Sequence, residues 1–308
     1  MNRYLDIEDR NEDYNFIQKE TFRAEKGIRA IGIMYHDHSN DRKSYDNVFR
    51  LKDNIEYRLM AATHQYLVFL RELALSERTL HERYMENPNS LYEVVPGRNP
   101  YLIKVETELS SIFDSIVFHL SSVFDYLSHS VCYMYFTNKE KTVYWTKLAK
   151  TVRGEFKDKF DFSLALDEMD RRFVGRLYDY RSRLLHNTRD KHRFDVYVQN
   201  NDSSVRLKIA SSDSVMKHFT LAKENIVEGQ EITLTYLASW LLRRTFIEIE
   251  HLLDAIKIDI QKNSHFQKNV REPKPQFGDS LFTIAIAEPG TPFLRPVSDG
   301  IWEDYKSE

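Results

Sequence analysis

Cysteine is nearly absent from this sequence. Cys132 stands alone among 308 residues, which excludes an internal disulfide framework and a cysteine-built zinc site and fits a reducing compartment. Glycine and proline are scarce, at nine and eight, so long regular elements are expected rather than a loop-rich fold. No apolar run persists: Ser, Asp, His or Arg breaks each one within a few residues, and none resembles a membrane span. The opening stretch MNRYLDIEDRNEDYNF carries acids and no apolar segment, so no signal peptide is expected and a cytoplasmic location follows. An excess of one charge is missing too. With 44 Lys and Arg against 47 Asp and Glu, the net charge is −3, which excludes the globally basic surface typical of nucleic-acid-binding domains. Glycine-rich phosphate loops, a GxSxG elbow and a Cys/His dyad are also lacking.

What is present suits a helical protein. Nineteen Phe and eighteen Tyr can fill a core, and the length suits one large domain or two modest ones. Apolar residues at three- and four-residue steps predict a helix over 53–86, carried by Leu59, Tyr66, Phe69, Leu70, Leu73 and Leu80. NPNSLYEVVPGRNP (87–100) reads as a loop. A long helix follows over 101–136, with a ladder from Leu109 through Phe113, Leu120 and Leu127 to Val131, and a shorter one is expected within 139–157. The helical pattern returns from Phe162 to His192, and a last long helix spans about 231–262. Between them RFDVYVQNNDSSVRLKIA alternates on both sides of NNDSS, the pattern of a β-hairpin at about 194–209. IRAIGIMY (28–35) and LFTIAIA (281–287) read as further short strands, able to join the hairpin in a small sheet. The expected architecture is mainly α, a bundle of four to five long helices with a hairpin or short-strand decoration. Residues 1–100 form an N-terminal extension, 101–262 the bundle with its hairpin, and 263–308 a Pro-rich C-terminal extension.

One stretch stands out chemically. Residues 178–190 read YDYRSRLLHNTRD, and the wider segment 171–193 holds eight Arg or Lys against only Asp179 and Asp190. A strongly basic segment in a mildly acidic chain points to local recognition of an anion. A five-residue step on an α-helix is about 500°, so Arg181 and His186 lie roughly 140° apart around the axis. One helix cannot aim both at one phosphate. Two such helices facing across a two-fold axis can share a cleft, because an isologous interface repeats every group.

Arg181, four residues and then His186, late in a helix of a small bundle, resembles the R-x(4–6)-H motif of the HEPN superfamily. The resemblance covers about 101–262. It implies an all-helical domain that dimerises and a metal-independent endoribonuclease that needs no cofactor. It also implies a setting in defence or toxin–antitoxin regulation, with an antitoxin or regulatory protein as possible partner. The family places Asn, Asp or His directly after the Arg, where this chain has Ser182. On that reading Arg181 and His186 are catalytic. Ser182, Arg183, Asn187, Arg189, Arg176 and Asp114 bind RNA or support the pair. His186 exchanges the 2′-hydroxyl proton of RNA and Arg181 holds the phosphate. The products are a 2′,3′-cyclic phosphate and a 5′-hydroxyl end.

Other readings stand beside it. The same basic face suits a non-catalytic helical module that binds RNA, a nucleotide or a protein. An Arg-rich helix can also simply pair with acids such as Asp167, Glu168 and Asp170. Asp114 and Asp125 occupy the polar face of the long helix, solvated or turned towards the motif helix to position an Arg, while His119 falls on the apolar ladder as a core histidine. HDHSND (36–41) gathers ligand-type residues without a spacing template for zinc or manganese. Arg243 and Arg244 are expected on a solvated face, paired with Glu248 or Glu250.

Overall fold

The computed structural model describes residues 3–38, 44–91, 100–136, 143–186, 190–199, 203–224, 226–262 and 297–307. The fold is mainly helical. In chain order come β1 (Tyr4–Leu5), α1 (Arg10–His38), α2 (Ser44–Glu86), α3 (Pro100–Tyr135), α4 (Trp145–Arg153), α5 (Asp161–Met169) and α6 (Gly175–His186). There follow β2 (Arg193–Val198), β3 (Val205–Ala210), α7 (Asp213–Met216), β4 (Glu231–Ile232), α8 (Leu234–Lys262) and α9 (Val297–Ser307). A π-helical turn over Asp170–Val174 joins α5 to α6. No helix among the described residues is long and apolar enough to cross a membrane.

The expected helices over 53–86, 101–136 and 231–262 appear as α2, α3 and α8, and the hairpin as β2–β3, paired from Arg193↔Ala210 to Val198↔Val205. The strand expected at 28–35 does not form; these residues belong to α1. Ala24, Ile28, Ile31 and Tyr35 are all buried at three- and four-residue spacing, the helical period, and a short apolar run alone does not tell the two apart. A sheet built partly on 28–35 is therefore ruled out. Instead β1 pairs in parallel with β4, Tyr4 opposite Glu231 and Leu5 opposite Ile232. The run 281–287 lies outside the described residues.

The chain divides into two compact units. One comprises Met1–Gln18, Arg58–Ser122 and Arg172–Thr245; the other comprises Lys19–Tyr57, Val123–Arg171 and Phe246–Glu308.

In the first unit, buried carboxylates join elements distant in sequence. Asp13 of α1 accepts from Tyr66 (2.6 Å), Ser239 (2.9 Å) and Arg243 (2.7 Å). Arg243 also stacks on Phe16, 3.9 Å from the ring centre. Its partner is thus Asp13 rather than a glutamate on its own helix. Glu77 of α2 receives a two-pronged bond from Arg10 (2.8 and 3.0 Å) and accepts the Leu207 amide of β3 at 3.1 Å, the planar geometry that favours Arg for such pairs. Leu80, Leu102 and Val205 form a small apolar cluster flanked by Val196 and Val198 of the hairpin.

In the second unit, Asp259 of α8 caps the start of α5. Its carboxylate accepts the amides of Asp161 (2.8 Å) and Phe162 (3.0 Å) and the Tyr135 hydroxyl (2.9 Å). It thereby meets donors that the first helical turn leaves open. Tyr135 packs against Phe160 and Phe162, with ring centres 4.9 and 4.1 Å away. Gly27 lets two side chains approach its backbone closely. A Cβ there would meet the Tyr305 ring at 2.9 Å and Leu253 at 3.0 Å.

Glu25, also in this unit, is poorly accommodated. Burial, then the neighbouring charge of Glu56, pushes its carboxyl up to about 7 against the pull of Lys52, and its Oε1 has no hydrogen-bond partner among the described residues. A carboxyl raised in the folded state favours folding while protonated, and that contribution is lost as the pH rises through about 7. The Glu25→Gln variant removes the ionisation. It is expected to melt higher than wild type at pH 8, by about 1 kcal/mol after allowance for partial exposure, with the gap closing at pH 5. Thermal unfolding at both pH values measures this, and equal differences at pH 5 and 8 would refute it.

Candidate functional site

The site centres on α6 in the first unit. Leu177 and Tyr180 are its buried residues. Tyr180 lies 6.5 Å from Phe113 of α3 and 5.3 Å from Phe219, which in turn lies 6.3 Å from Trp240 of α8. This aromatic packing holds the inner face of α6 and sets the outer one towards solvent. Arg176, Asp179, Ser182, Leu185 and His186 are exposed. At 100° per residue, Arg176, Asp179, Ser182 and His186 share one side of the helix, within roughly 120°. His186 ends α6 in its last turn, where the helix dipole favours a cation.

Arg181 is placed differently. It is half-buried, with its guanidinium 5.7 Å from the Tyr178 ring centre, and the Tyr178 hydroxyl is bonded to the Ser121 carbonyl of α3 (3.0 Å). α6 is regular across both motif residues, so the angular separation of Arg181 and His186 persists within one chain.

Arg183 has an internal partner. Its Nη2 lies 2.5 Å from Asp190, a carboxylate only 7% exposed. Asp190 also accepts from Tyr180 (3.2 Å), Ser212 (3.3 Å) and Ser214. Burial acts to raise its pKa, but the bonds from Ser214 and Arg183 outweigh that and hold its carboxyl below the usual range. The arrangement ties α6 to the N-terminus of α7, where Ser212 is the cap residue. Asp114 on α3 is half-buried. After burial itself, its charge is the largest influence raising the Tyr180 hydroxyl's pKa, followed by that of Asp190.

The basic segment is therefore partly neutralised. Arg171 pairs with Asp167 (2.7 Å), as the bland reading of an Arg-rich helix expects, and Arg193 pairs with Glu231 (2.7 Å). Asn187 and Arg189 lie outside the described residues, as does part of HDHSND. His119 is half-buried beside Arg58, whose Nη1 lies 3.3 Å from His119 Nδ1; burial, then that charge, lowers its pKa.

One residue near α6 escaped the sequence reading. His218, just after α7, is half-buried, with its ring centre 5.5 Å from that of Tyr180. It lies within the fields of Asp179, Arg183 and Arg176 of α6 and of Asp190. Its neighbourhood, SDSVMKHF, has no periodicity that links it to residues some forty positions earlier. The only local signal was the Ser-Asp-Ser cap before a short helix.

Comparison with protein-family models, with curated proteins and with solved structures gives no match.

The Asp190 pairing has a direct consequence. Arg183→Ala leaves a buried carboxylate without its cation and is expected to cost about 2 kcal/mol of stability, the buried-pair penalty reduced for partial exposure. Ser182→Ala, at an exposed position, should stay within about 0.5 kcal/mol of wild type. Urea unfolding of the two variants measures the difference, and equal midpoints would contradict the structural role given to Arg183.

Proposed function

We propose that this protein is a metal-independent endoribonuclease of HEPN type. It acts as a homodimer whose two α6 helices line a shared cleft, and it needs no cofactor. The observation that carries the proposal is the presentation of α6. A helix whose inner face is locked by aromatic packing leaves His186 exposed in its last turn, with Arg176 and Ser182 on the same side.

In the proposed reaction the RNA 2′-hydroxyl oxygen attacks the adjacent phosphorus, a P–O2′ bond forms and the P–O5′ bond breaks. His186 takes part in the proton transfer. Arg181, reaching the cleft from the partner helix's side, holds the phosphate and stabilises charge gained in the transition state. The products are a 2′,3′-cyclic phosphate and a 5′-hydroxyl. DNA lacks the nucleophile and is left intact. A cytoplasmic defence or toxin–antitoxin role, with a regulatory protein partner, belongs to the same proposal through the family resemblance alone.

A second reading has its own support. Arg183 is engaged by Asp190, and Asp179 shares the side of α6 that carries His186, so the cationic field there is weaker than the composition implies. This favours a binding module that holds RNA, a nucleotide or a protein without turning it over.

Cleavage of a mixed RNA pool in EDTA separates the two. The wild type should cut and leave cyclic phosphates, and His186→Ala should lower the rate by about 10²–10⁴-fold with an unchanged melting curve. Arg181→Ala should lower it comparably, and sedimentation should give a dimer. Salt-sensitive RNA binding with no cutting would favour the binding module. A His186→Ala variant as active as wild type would remove His186 from the mechanism.

A further inference from the structure

The ribonuclease reading names one proton-transfer group, yet cleavage of RNA by its own 2′-hydroxyl moves two protons. One leaves the attacking hydroxyl and another must reach the departing 5′-oxygen. His218 stands beside the same helix. We propose that His218 is the second catalytic residue of the cleft, acting with His186, and that it takes the 2′-hydroxyl proton while His186 supplies the proton to the 5′-oxygen. This inference rests on the ribonuclease reading and deepens it.

Geometry supports the assignment through Asp190. One oxygen of that carboxylate, Oδ1, accepts from Arg183 of α6 and from Ser212 and Ser214. Ser212 and Ser214 begin α7, and the His218 amide bonds the Val215 carbonyl at the end of the same turn (3.0 Å). Fixing α7 to α6 in this way fixes His218 against Tyr180 as well, at 5.5 Å between ring centres. The α6 residues that act on the His218 ring, Arg176, Asp179 and Arg183, lie on the side that also carries His186. Arg183 and His186 are three residues apart, neighbours along a helix ridge and about 4.5 Å apart in rise. The charge of Arg183 thus acts on the His218 ring, and Arg183 lies one step along the helix ridge from His186. Arg183 Nη1 is buried with no hydrogen-bond partner among the described residues, a kind of orphan donor that calls for an explanation.

The two histidines differ in surroundings. His186 is exposed to solvent. His218 is half-buried, and several groups set its charge state. Burial lowers its pKa most, and Arg183 and Arg176 lower it further against the opposing pull of Asp179 and Asp190. An imidazole kept neutral near pH 7 is suited to accept a proton. The balance closes within one turnover. The 2′-oxygen loses its proton to neutral His218, the P–O2′ bond forms, the P–O5′ bond breaks, and protonated His186 gives its proton to the 5′-oxygen. Exchange with water then restores both histidines.

The test compares wild type, His218→Gln and His186→Ala in single-turnover cleavage of a short single-stranded RNA in EDTA, from pH 5 to 9. Glutamine keeps the polarity of the site and cannot titrate. His218→Gln is expected to cut at least about 10²-fold more slowly and to lose the acidic limb of the pH–rate profile. Its RNA affinity should stay within about threefold of wild type. A wild-type rate and profile in His218→Gln would overturn this inference and leave the ribonuclease reading intact. Failure of the wild type to cut would overturn both. If His218→Gln also melts lower, nitrogen NMR of the histidines in the folded His186→Ala protein decides. Uridine 3′-monophosphate should shift the His218 ring signals, and unchanged signals at saturating nucleotide would overturn the proposal.

Discussion

A buried carboxylate persists only where donors surround it, and Asp190 shows how much of the site depends on that rule. Arg183 comes to it from α6, Tyr180 from the same helix, and Ser212 and Ser214 from the turn that opens α7. Without these donors the charge would stand in a low-dielectric setting at a cost of several kcal/mol. With them, one side chain ties α6 to the start of α7, after which His218 stands beside Tyr180. The same solution recurs at Asp13 and Glu77, which join α1 and α2 to α8 and to the hairpin, and at Asp259, which closes the N-terminus of α5. A chain with little glycine, little proline and no disulfide uses charged hydrogen bonds to fasten elements far apart in sequence.

This economy explains why composition overstates the basic character of the α6 region. Counted as residues, 171–193 is strongly positive. Counted as unsatisfied charge it is less so, because Arg171, Arg183 and Arg193 each meet an acid. On α6 itself, what remains towards solvent is a narrower face of Arg176, Ser182 and His186, interrupted by Asp179, while Arg172 and Lys191 are exposed outside that helix. Such a surface suits a single phosphate better than a long polyanion track, since affinity for nucleic acid grows with the number of phosphates neutralised. The proposed cleft between two copies of α6 would double every group on that face.

The helices and the hairpin were legible because their signals are local. The ladder from Leu109 to Val131 and the alternation around NNDSS each report a period that a single element imposes on its own residues. The run 28–35 was misread because buried β-branched residues look alike in a strand and in the core face of a helix. Ile28, Ile31 and Tyr35 resolve only when neighbours cover them. The two-residue strands β1 and β4 are too short to carry a period at all.

For the candidate site, the helical setting, the Arg181–His186 spacing and the angle that separates them around α6 follow from residue order and helix geometry alone. Which cations face solvent does not. That Arg183 meets Asp190, seven residues on, was settled by tertiary packing, and that Arg243 meets Asp13 rather than Glu248 or Glu250 and that His218 stands beside Tyr180 were settled by packing between segments more remote in the chain. Periodicity records the surroundings of a residue along its own element, whereas the partner of a charge depends on which other elements desolvate it, and only folding brings those together.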